Sequence, residues 1–307
     1  MKKIISILIL LVIQLYGQNT YEFLRNDASA RSASLGGAFV ANVDDPGVIF
    51  YNPAGVNYVD DNLFTIGFTK HLLDVNSGYL SYTSSLPSIG KIGFGLMFTN
   101  YGSFDLLDEF GFSSGSFSAN DFAILGNYSY NTSQNLSYGF NLKFIYSAIH
   151  TYSSYAISSD FGLSYLYPEK GFSAGFSILN FGQQLKSYSQ SKEKLPLDLR
   201  IGLTKKLEHT PFRIYLEFIK LNEKTSSFTS RLKNFILGLE IQSSDVLTFR
   251  LGFNNEKRRE MKIGTTVGTE GFNIGFGVKV DKYRFDYGLS SFGKIGSIHR
   301  INLTTRF

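Results

Sequence analysis

The residues of this chain that could carry out catalysis or bind a metal are few and widely separated. The chain has no Cys, which excludes thiolate chemistry, Cys-ligated zinc and disulfides. Its four His are His71, His150, His209 and His299, and none has a second His or a Cys at the spacing of a metal site. Gly-x-Ser-x-Gly occurs at 111–115, within a predicted loop, and at 171–175, within a predicted strand, so neither has the strand–turn–helix context of a nucleophile elbow, and there is no Walker-type loop. We therefore expect no enzymatic activity, no metal and no cofactor.

The first seventeen residues form a segment of their own. Lys2 and Lys3 give it a basic start, and residues 4–15 are an apolar run shorter than the ~18 residues that a membrane-spanning helix needs. We predict a signal peptide over residues 1–17, cut after Gly17, rather than a retained anchor helix. Removing its two lysines lowers the formal charge from +5 to +3. Because acids and bases are interspersed in the remainder, we expect no nucleic-acid partner.

Apolar and polar residues alternate from about residue 63 to the last residue. In residues 136–144, for example, every second side chain is Leu, Tyr or Phe, and the side chains between them are Ser, Gly, Asn and Lys. Neighbouring side chains of a strand point to opposite faces, so each such segment has one apolar and one polar face. The pattern predicts an all-β chain.

Two kinds of all-β protein show this alternation: a soluble sandwich or barrel with an apolar core, and a membrane barrel with an apolar exterior. Charges at strand centres favour the membrane barrel, as do apolar faces about as long as the ~9–11 residues of a tilted spanning strand. The alternation runs into Phe307, which we interpret as a barrel-insertion signal. We predict a transmembrane antiparallel β-barrel over residues 63–307, in contact with the lipid of the outer membrane of a Gram-negative bacterium.

The barrel is predicted to have about fourteen strands, an even number as bacterial barrels favour. Tight turns and longer loops alternate between the strands, which places both ends of the barrel on the periplasmic side. The longer loops are predicted at 102–119, 181–195, 221–232 and 255–270, and 261–269 could be a further strand instead. The predicted spans are 63–70, 76–86, 91–101, 120–131, 135–149, 155–167, 171–180, 196–207, 211–220, 233–243, 246–254, 271–280, 282–291 and 298–307.

Charged residues recur on the polar faces of these strands. Both signs are present, so the lumen is either closed by internal ion pairs or lined for selective passage. Buried charges are retained mainly when they are paired, which favours a closed lumen. The predicted inward charges are Lys143, Asp160, Asp198, Arg200, Arg213, Glu217, Glu240, Arg250, Lys279, Arg284, Asp286, Arg300 and Arg306.

Residues 18–62 precede the first strand and do not alternate. A small-residue stretch at 28–39 could form a short helix ended by Gly36 and Gly37. The sequence DDPGVIFYNPAG at 44–55 then combines chain reversals with side chains that bond their own backbone. A membrane barrel tolerates such a segment only where protein or a watery lumen satisfies its backbone, so we predict a hatch inside or across the periplasmic mouth, with Asp44 or Asp45 meeting inward basic residues. The hatch-motif residues are Asp44, Asp45, Pro46, Gly47, Asn52, Pro53 and Gly55.

Three stretches of the chain resemble one family. SARSASLGGAFVANVDDPGVIFYNPAGV at 29–56 resembles the N-terminal hatch of the FadL-like outer-membrane β-barrels, in particular their PorV/PorQ branch. Residues 171–218, with NFGQQL and a Leu-Pro step before a strand, are similar to the PorQ-like pattern, and residues 283–307 to the closing hairpin of the family. The resemblance covers nearly all of the chain after the predicted signal peptide.

This resemblance implies a non-enzymatic barrel of the type IX secretion system of Bacteroidetes. In that family, PorV-like members carry cargo and associate with a PorU-like protein, and PorQ-like members hold a PorZ-like protein at the cell surface. The resemblance therefore implies that this chain anchors a surface partner of the attachment complex, with PorZ-like, PorU-like or PorV-like proteins as its partners.

A second hypothesis is a FadL-like transporter of hydrophobic small molecules across the outer membrane. Such a transporter needs apolar residues near the hatch to bind its substrate. The inward faces consist mainly of Gly, Ser and charged residues, so the sequence predicts little apolar lining and favours the anchor.

Overall fold

The computed structural model describes residues 20–223, 228–261 and 268–307. Fourteen antiparallel strands form one closed barrel, in which each strand pairs with its neighbours in the chain and the first pairs with the last. The predicted signal peptide lies outside the described residues. The strands are β1 (Leu63–Lys70), β2 (Asn76–Leu86), β3 (Gly90–Leu107), β4 (Ser113–Asn131), β5 (Leu136–Ile149), β6 (Tyr152–Tyr167), β7 (Phe172–Lys186), β8 (Asp198–Lys206), β9 (Phe212–Phe218), β10 (Phe235–Gln242), β11 (Leu247–Asn254), β12 (Phe272–Val280), β13 (Tyr283–Ser291) and β14 (Ser297–Arg306).

The barrel closes between β1 and β14 without a gap. These strands pair from Leu63 opposite Arg306 to Lys70 opposite His299, over the whole of β1. Closure leaves no free sheet edge, which satisfies the backbone without water. The fold class and the strand number are thus as predicted. No helix among the described residues is long and apolar enough to span a membrane.

The two ends of the barrel differ in their connections. We call the end at which β1 begins and β14 finishes the turn end, because short connections such as 168–171 and 207–211 lie there. The opposite end is the loop end. There lie two short helices, α2 (Phe228–Arg231) and α3 (Asn255–Met261). The predicted loop at 255–270 begins with α3, and the proposed extra strand falls largely on 262–267, outside the described residues.

The wall is tallest at β3–β7. These strands have 14–19 residues, whereas β8–β14 have 7–10. The predicted loop at 102–119 is wrong, because β3 and β4 continue there as a hairpin that we call the arm (residues 102–118). Rings of Phe104 and Phe117 stack across it with centroids 5.3 Å apart. Beyond the membrane neither face of a hairpin needs to be apolar, so alternation gives no signal for these residues. The predicted loop at 181–195 is likewise shorter, since β7 continues to Lys186.

The apolar face of the strands points outwards. On β5, Phe140, Leu142 and Phe144 are 43–53% exposed, whereas Asn141 and Lys143 between them are buried. An exposed apolar band around a polar interior is the inverse of a soluble protein and is typical of a barrel in lipid.

The lumen is filled by residues 20–62, the hatch. It contains α1 (Ala30–Ser34) and 3-10 helices at Glu22–Arg25, Pro46–Phe50 and Pro53–Tyr58. The predicted short helix at 28–39 is therefore present. It ends before Gly36 and Gly37, whose φ values of 75° and 100° are accessible to glycine at low cost. Leu35, Phe39, Val48 and Ile49 are almost completely buried between hatch and wall.

Candidate functional site: the hatch and the inner wall

The hatch motif contains the same helix-capping arrangement twice, an Asp or Asn followed by a Pro. Asp45 caps the helix that starts at Pro46, and its Oδ1 accepts a hydrogen bond of 2.8 Å from the backbone N–H of Gly47. Asn52 does the same seven residues later, where its Oδ1 accepts a 3.0 Å bond from Ala54. An Asx cap followed by Pro satisfies free N–H groups and fixes the first φ of a helical turn. The irregular sequence thus encodes two short, rigid turns.

Glycines of the wall allow the hatch backbone to approach the strands closely. A Cβ at Gly252 would lie 2.2 Å from the backbone nitrogen of Gly36, and a Cβ at Gly175 would lie 2.0 Å from the carbonyl oxygen of Val40. Such distances leave no room for any side chain other than hydrogen. We call this set the glycine girdle: Gly139, Gly162, Gly175, Gly252 and Gly288. The girdle fixes the position of hatch residues 30–54.

Arg31 of the hatch lies at the centre of a buried ion-pair network. Its Nη1 is 2.8 Å from Asp44 and 3.5 Å from Asp45, and its Nε is 3.1 Å from Glu240 on β10. Its side chain is only 4% exposed. A charge at this depth is stable only when its partners are close.

Three arginines of the wall complete the network. Arg213 lies 2.6 Å from Asp44, and Arg284 pairs with Asp45. The prediction that Asp44 or Asp45 meets inward basic residues is therefore confirmed for both. Arg250 joins two further acids, with 2.8 Å to Glu240 and 2.7 Å to Asp286. The central network is Arg31, Arg213, Arg250, Arg284, Asp44, Asp45, Glu240 and Asp286, and its formal charge is zero.

Other predicted inward charges hold the hatch or each other. Glu217 accepts hydrogen bonds of 2.6 and 2.9 Å from the backbone N–H groups of Phe39 and Val40. Lys143 lies 2.9 Å from Asp160 on the neighbouring strand. Lys279 and Arg306 lie on the inward faces of their strands, as predicted, since they pair with Arg284 and Leu63, but both are exposed at the turn end, where the wall ends.

Asp27 connects the hatch to the loop end. Its carboxylate lies 2.6 Å from the ammonium of Lys257 on α3. Burial disfavours the ionised form, but Lys257 and Arg300 outweigh it and hold the pKa of Asp27 below its ordinary value. This contact was not predicted, because no local pattern relates residues so far apart.

Part of the inner wall is apolar. Met97, Ala123, Ile145 and Ala156 lie side by side on β3–β6, each directly paired with the next. We call this set the apolar row. Tyr21 and Phe23 of the hatch and Leu195 of the connection after β7 pack on it, with Leu24 beside them.

The expectation of little apolar lining is therefore wrong for this part of the wall. Each member of the apolar row is the centre of an apolar triplet, LMF, FAI, FIY or YAI. Both flanking residues are apolar and face the lipid. The inward residue between them is apolar too, so the sequence does not show that it belongs to the other face. An uninterrupted apolar triplet in an otherwise alternating strand was the available signal.

Comparisons with known proteins bear on the fold. No protein-family model matches the sequence, and no curated protein matches it. The structure of the Pseudomonas putida toluene transporter TodX has a TM-score of 0.60 at 13% identity, over 95% of this chain and 98% of that one.

Two further solved structures resemble this chain with comparable TM-scores. The Ralstonia pickettii toluene transporter TbuX has a TM-score of 0.58 at 13% identity, over 92% of this chain and 99% of its own. A Pseudomonas aeruginosa FadL homologue has a TM-score of 0.55 at 9% identity, over 91% and 98%. The PorV/PorQ part of the resemblance is not tested by these structures and stays a prediction. Closed strand order, lumenal hatch and near-complete coverage give this chain the fold of the FadL-like outer-membrane barrels.

Proposed function

We propose that this protein is an outer-membrane barrel that binds small hydrophobic molecules in its lumen and passes them across the membrane. The apolar row carries the proposal, since it is an apolar part of the inner wall beside the hatch, covered by Tyr21 and Phe23. TodX and TbuX, which share the fold, are toluene transporters, and this supports the proposal. In this proposal residues 1–17 direct export and Phe307 marks the chain for insertion into the outer membrane.

The part of the hatch that covers the apolar row is held by hydrogen bonds and apolar packing, and by neither the glycine girdle nor the central network. Thr20 donates a 3.0 Å hydrogen bond to Lys194, Tyr21 bonds Ser154, and Arg25 donates a 2.9 Å bond to Leu197. Residues 30–54, in contrast, are fixed by the glycine girdle and the central network. Residues 20–24 can therefore move away from the row while the remainder of the hatch keeps its place. That movement would admit a substrate without opening a water-filled pore.

Replacing Phe23 by Ala tests the proposal. Phe23 is 2% exposed and packs on the apolar row, so its removal frees apolar surface where the substrate is proposed to bind. We expect wild-type protein to raise the uptake of radiolabelled toluene above that of cells carrying an empty vector. We expect Phe23→Ala to raise that rate by about threefold or more, because the ring then no longer covers the apolar row.

Phe39→Ala is the matched control. Phe39 is equally buried, but it packs in a different apolar cluster, where its ring centroid lies 5.2 Å from that of Tyr51. At equal amounts of folded barrel, measured by heat-dependent gel mobility, it should take up toluene at the wild-type rate. Uptake at the vector level by wild type and both variants would contradict the transport function.

A second candidate function is the anchoring of a surface protein, and the arm favours it. Leu107, Phe110 and Phe112 at its tip are 59–77% exposed. Residues 102–118 carry Asp105, Asp108 and Glu109 and no Lys or Arg. This chemistry suits a protein with an apolar pocket and a basic rim, and it is repelled by anionic lipopolysaccharide. PorZ-like, PorU-like or PorV-like proteins of a type IX secretion system are the proposed partners.

The arm gives a direct test of this anchoring. Outer membranes are crosslinked, and the proteins recovered with wild type are compared with those recovered with the double variant Phe110→Ser, Phe112→Ser. We expect a PorZ-like or PorU-like protein with wild type and a loss of at least about tenfold with the variant, as for paired aromatic hot spots. Leu73→Ser is the control, because Leu73 is 89% exposed in a different loop at the same end. Equal recovery with the arm variant would rule out this surface.

A further inference from the structure

A polar row lies next to the apolar row, one step nearer the loop end. Thr99, Asp121, Ser147 and Ser154 are paired side by side on β3–β6, just as the apolar residues are. Asp121 and Ala123 point to the same face of β4, about 7 Å apart along the strand. The lumen therefore places one carboxylate at a short, fixed distance from its apolar surface.

Asp121 differs from the other buried acids of the lumen. Seven of those acids have a Lys or Arg within 4.0 Å, namely Asp27, Asp45, Asp160, Asp198, Glu217, Glu240 and Asp286. Asp121 is 8% exposed and has only hydroxyl partners among the residues that the structure describes. The hydroxyl of Tyr101 donates a 2.7 Å hydrogen bond to one oxygen, and the hydroxyl of Ser147 donates to the other. Among the described residues, Asp121 thus lacks the cation that these seven acids have, as does buried Glu270 in the connection between α3 and β12.

We propose that the missing cation is the ammonium group of a ligand, so that the lumen binds hydrophobic amines. This rests on the proposed function, since the hydrophobic part of the ligand occupies the apolar row in place of Phe23. An ionised carboxylate offers about four acceptor positions, of which the two hydroxyls use two. An ammonium group brings three donors and a full positive charge, which matches the remaining acceptors.

The geometry limits the ligand further. The distance of about 7 Å between the two rows fits an aromatic ring joined to an ammonium group by a chain of two carbons. A carboxylate ligand is disfavoured, because it would lie beside Asp121 with no cation between them. Neutral hydrocarbons fill the apolar row alone and leave Asp121 without a cation.

Three phenyl probes test the inference: 2-phenylethylamine, n-propylbenzene, which has the same shape, and the slightly larger 3-phenylpropanoate. Binding of each radiolabelled probe is measured at pH 7 by equilibrium dialysis of the barrel in nanodiscs, with empty nanodiscs subtracted. We expect the amine to bind about tenfold or more tighter than propylbenzene, as for a buried charge-assisted bond, and phenylpropanoate to bind weakest. Asp121→Asn keeps the shape and removes the charge, so it should abolish the preference for the amine over propylbenzene.

Asp105→Asn is the control, because it removes the same charge from an exposed position on the arm. It should bind all three probes like wild type. If propylbenzene binds but the amine has no advantage, the amine site is refuted while the transport function stands. An advantage that persists in Asp121→Asn also refutes the assignment. If none of the probes binds, both this inference and the hydrophobic lumen site are refuted.

Discussion

Replacing Gly252 by Leu is expected to displace the hatch and to turn a closed barrel into one that conducts ions. A Cβ at this position would lie 2.2 Å from the nitrogen of Gly36 and 2.4 Å from the carbonyl carbon of Leu35. These are backbone atoms, in a segment whose left-handed φ values leave it little freedom to shift. The strand ladder is complete without the hatch, so the barrel should remain closed on itself while the hatch leaves.

Conductance across planar bilayers measures this displacement. A lumen of fourteen strands is wide enough for water once nothing fills it, so we expect about tenfold or more conductance over wild type. Gly126→Leu is the matched control, since a Cβ at Gly126 meets nothing within 4 Å and the residue is exposed. It should stay as closed as wild type. A closed Gly252→Leu barrel with native gel mobility would show that the girdle does not determine the position of the hatch.

The barrel itself was predictable because lipid imposes a local rule. Every spanning strand must show an apolar face, so the alternation of β5, for example, is visible in the sequence alone. The same rule explains the errors. It does not apply to the arm, which continues past the predicted end of β3, and it hides Ile145, whose neighbours on both sides face outwards.

The sequence predicted that the lumen contains charges of both signs, but not which of them form ion pairs. The mixed inward charges indicated a self-paired interior, and the structure pairs Arg250 with Glu240 and Asp286. Which groups meet depends on the register of several strands and on the path of the hatch. Neither is encoded within any one segment. The glycine girdle has the same origin, because a glycine such as Gly175 is needed only where the hatch passes.

Replacing Arg31 by Met is expected to loosen the hatch more than any other change of a single charge in it. Met has a similar length, but Asp44, Asp45 and Glu240 then lose one cation at a site with little access to water. Removing one partner of a buried ion pair costs about 3–5 kcal/mol. Since each 1.4 kcal/mol is a factor of ten, hydrogen exchange of the hatch amides should accelerate by about two to three orders of magnitude. Glu22→Gln is the control, because Glu22 is 53% exposed and its pair with Arg25 contributes at most about 1 kcal/mol.

A second variant separates lost charge from lost packing. In Arg31→Met, Glu240→Met the central network keeps three arginines and three acids, so its formal charge returns to zero. If uncompensated charge causes the loosening, the double variant should exchange more slowly than Arg31→Met alone, because the two substitutions are coupled. If lost contacts cause it, the second substitution should add to the first. Slow, wild-type exchange in Arg31→Met would show instead that the glycine girdle fixes the hatch without the network. The hatch would then be held by shape, and its ion pairs would serve only to neutralise one another inside the lumen.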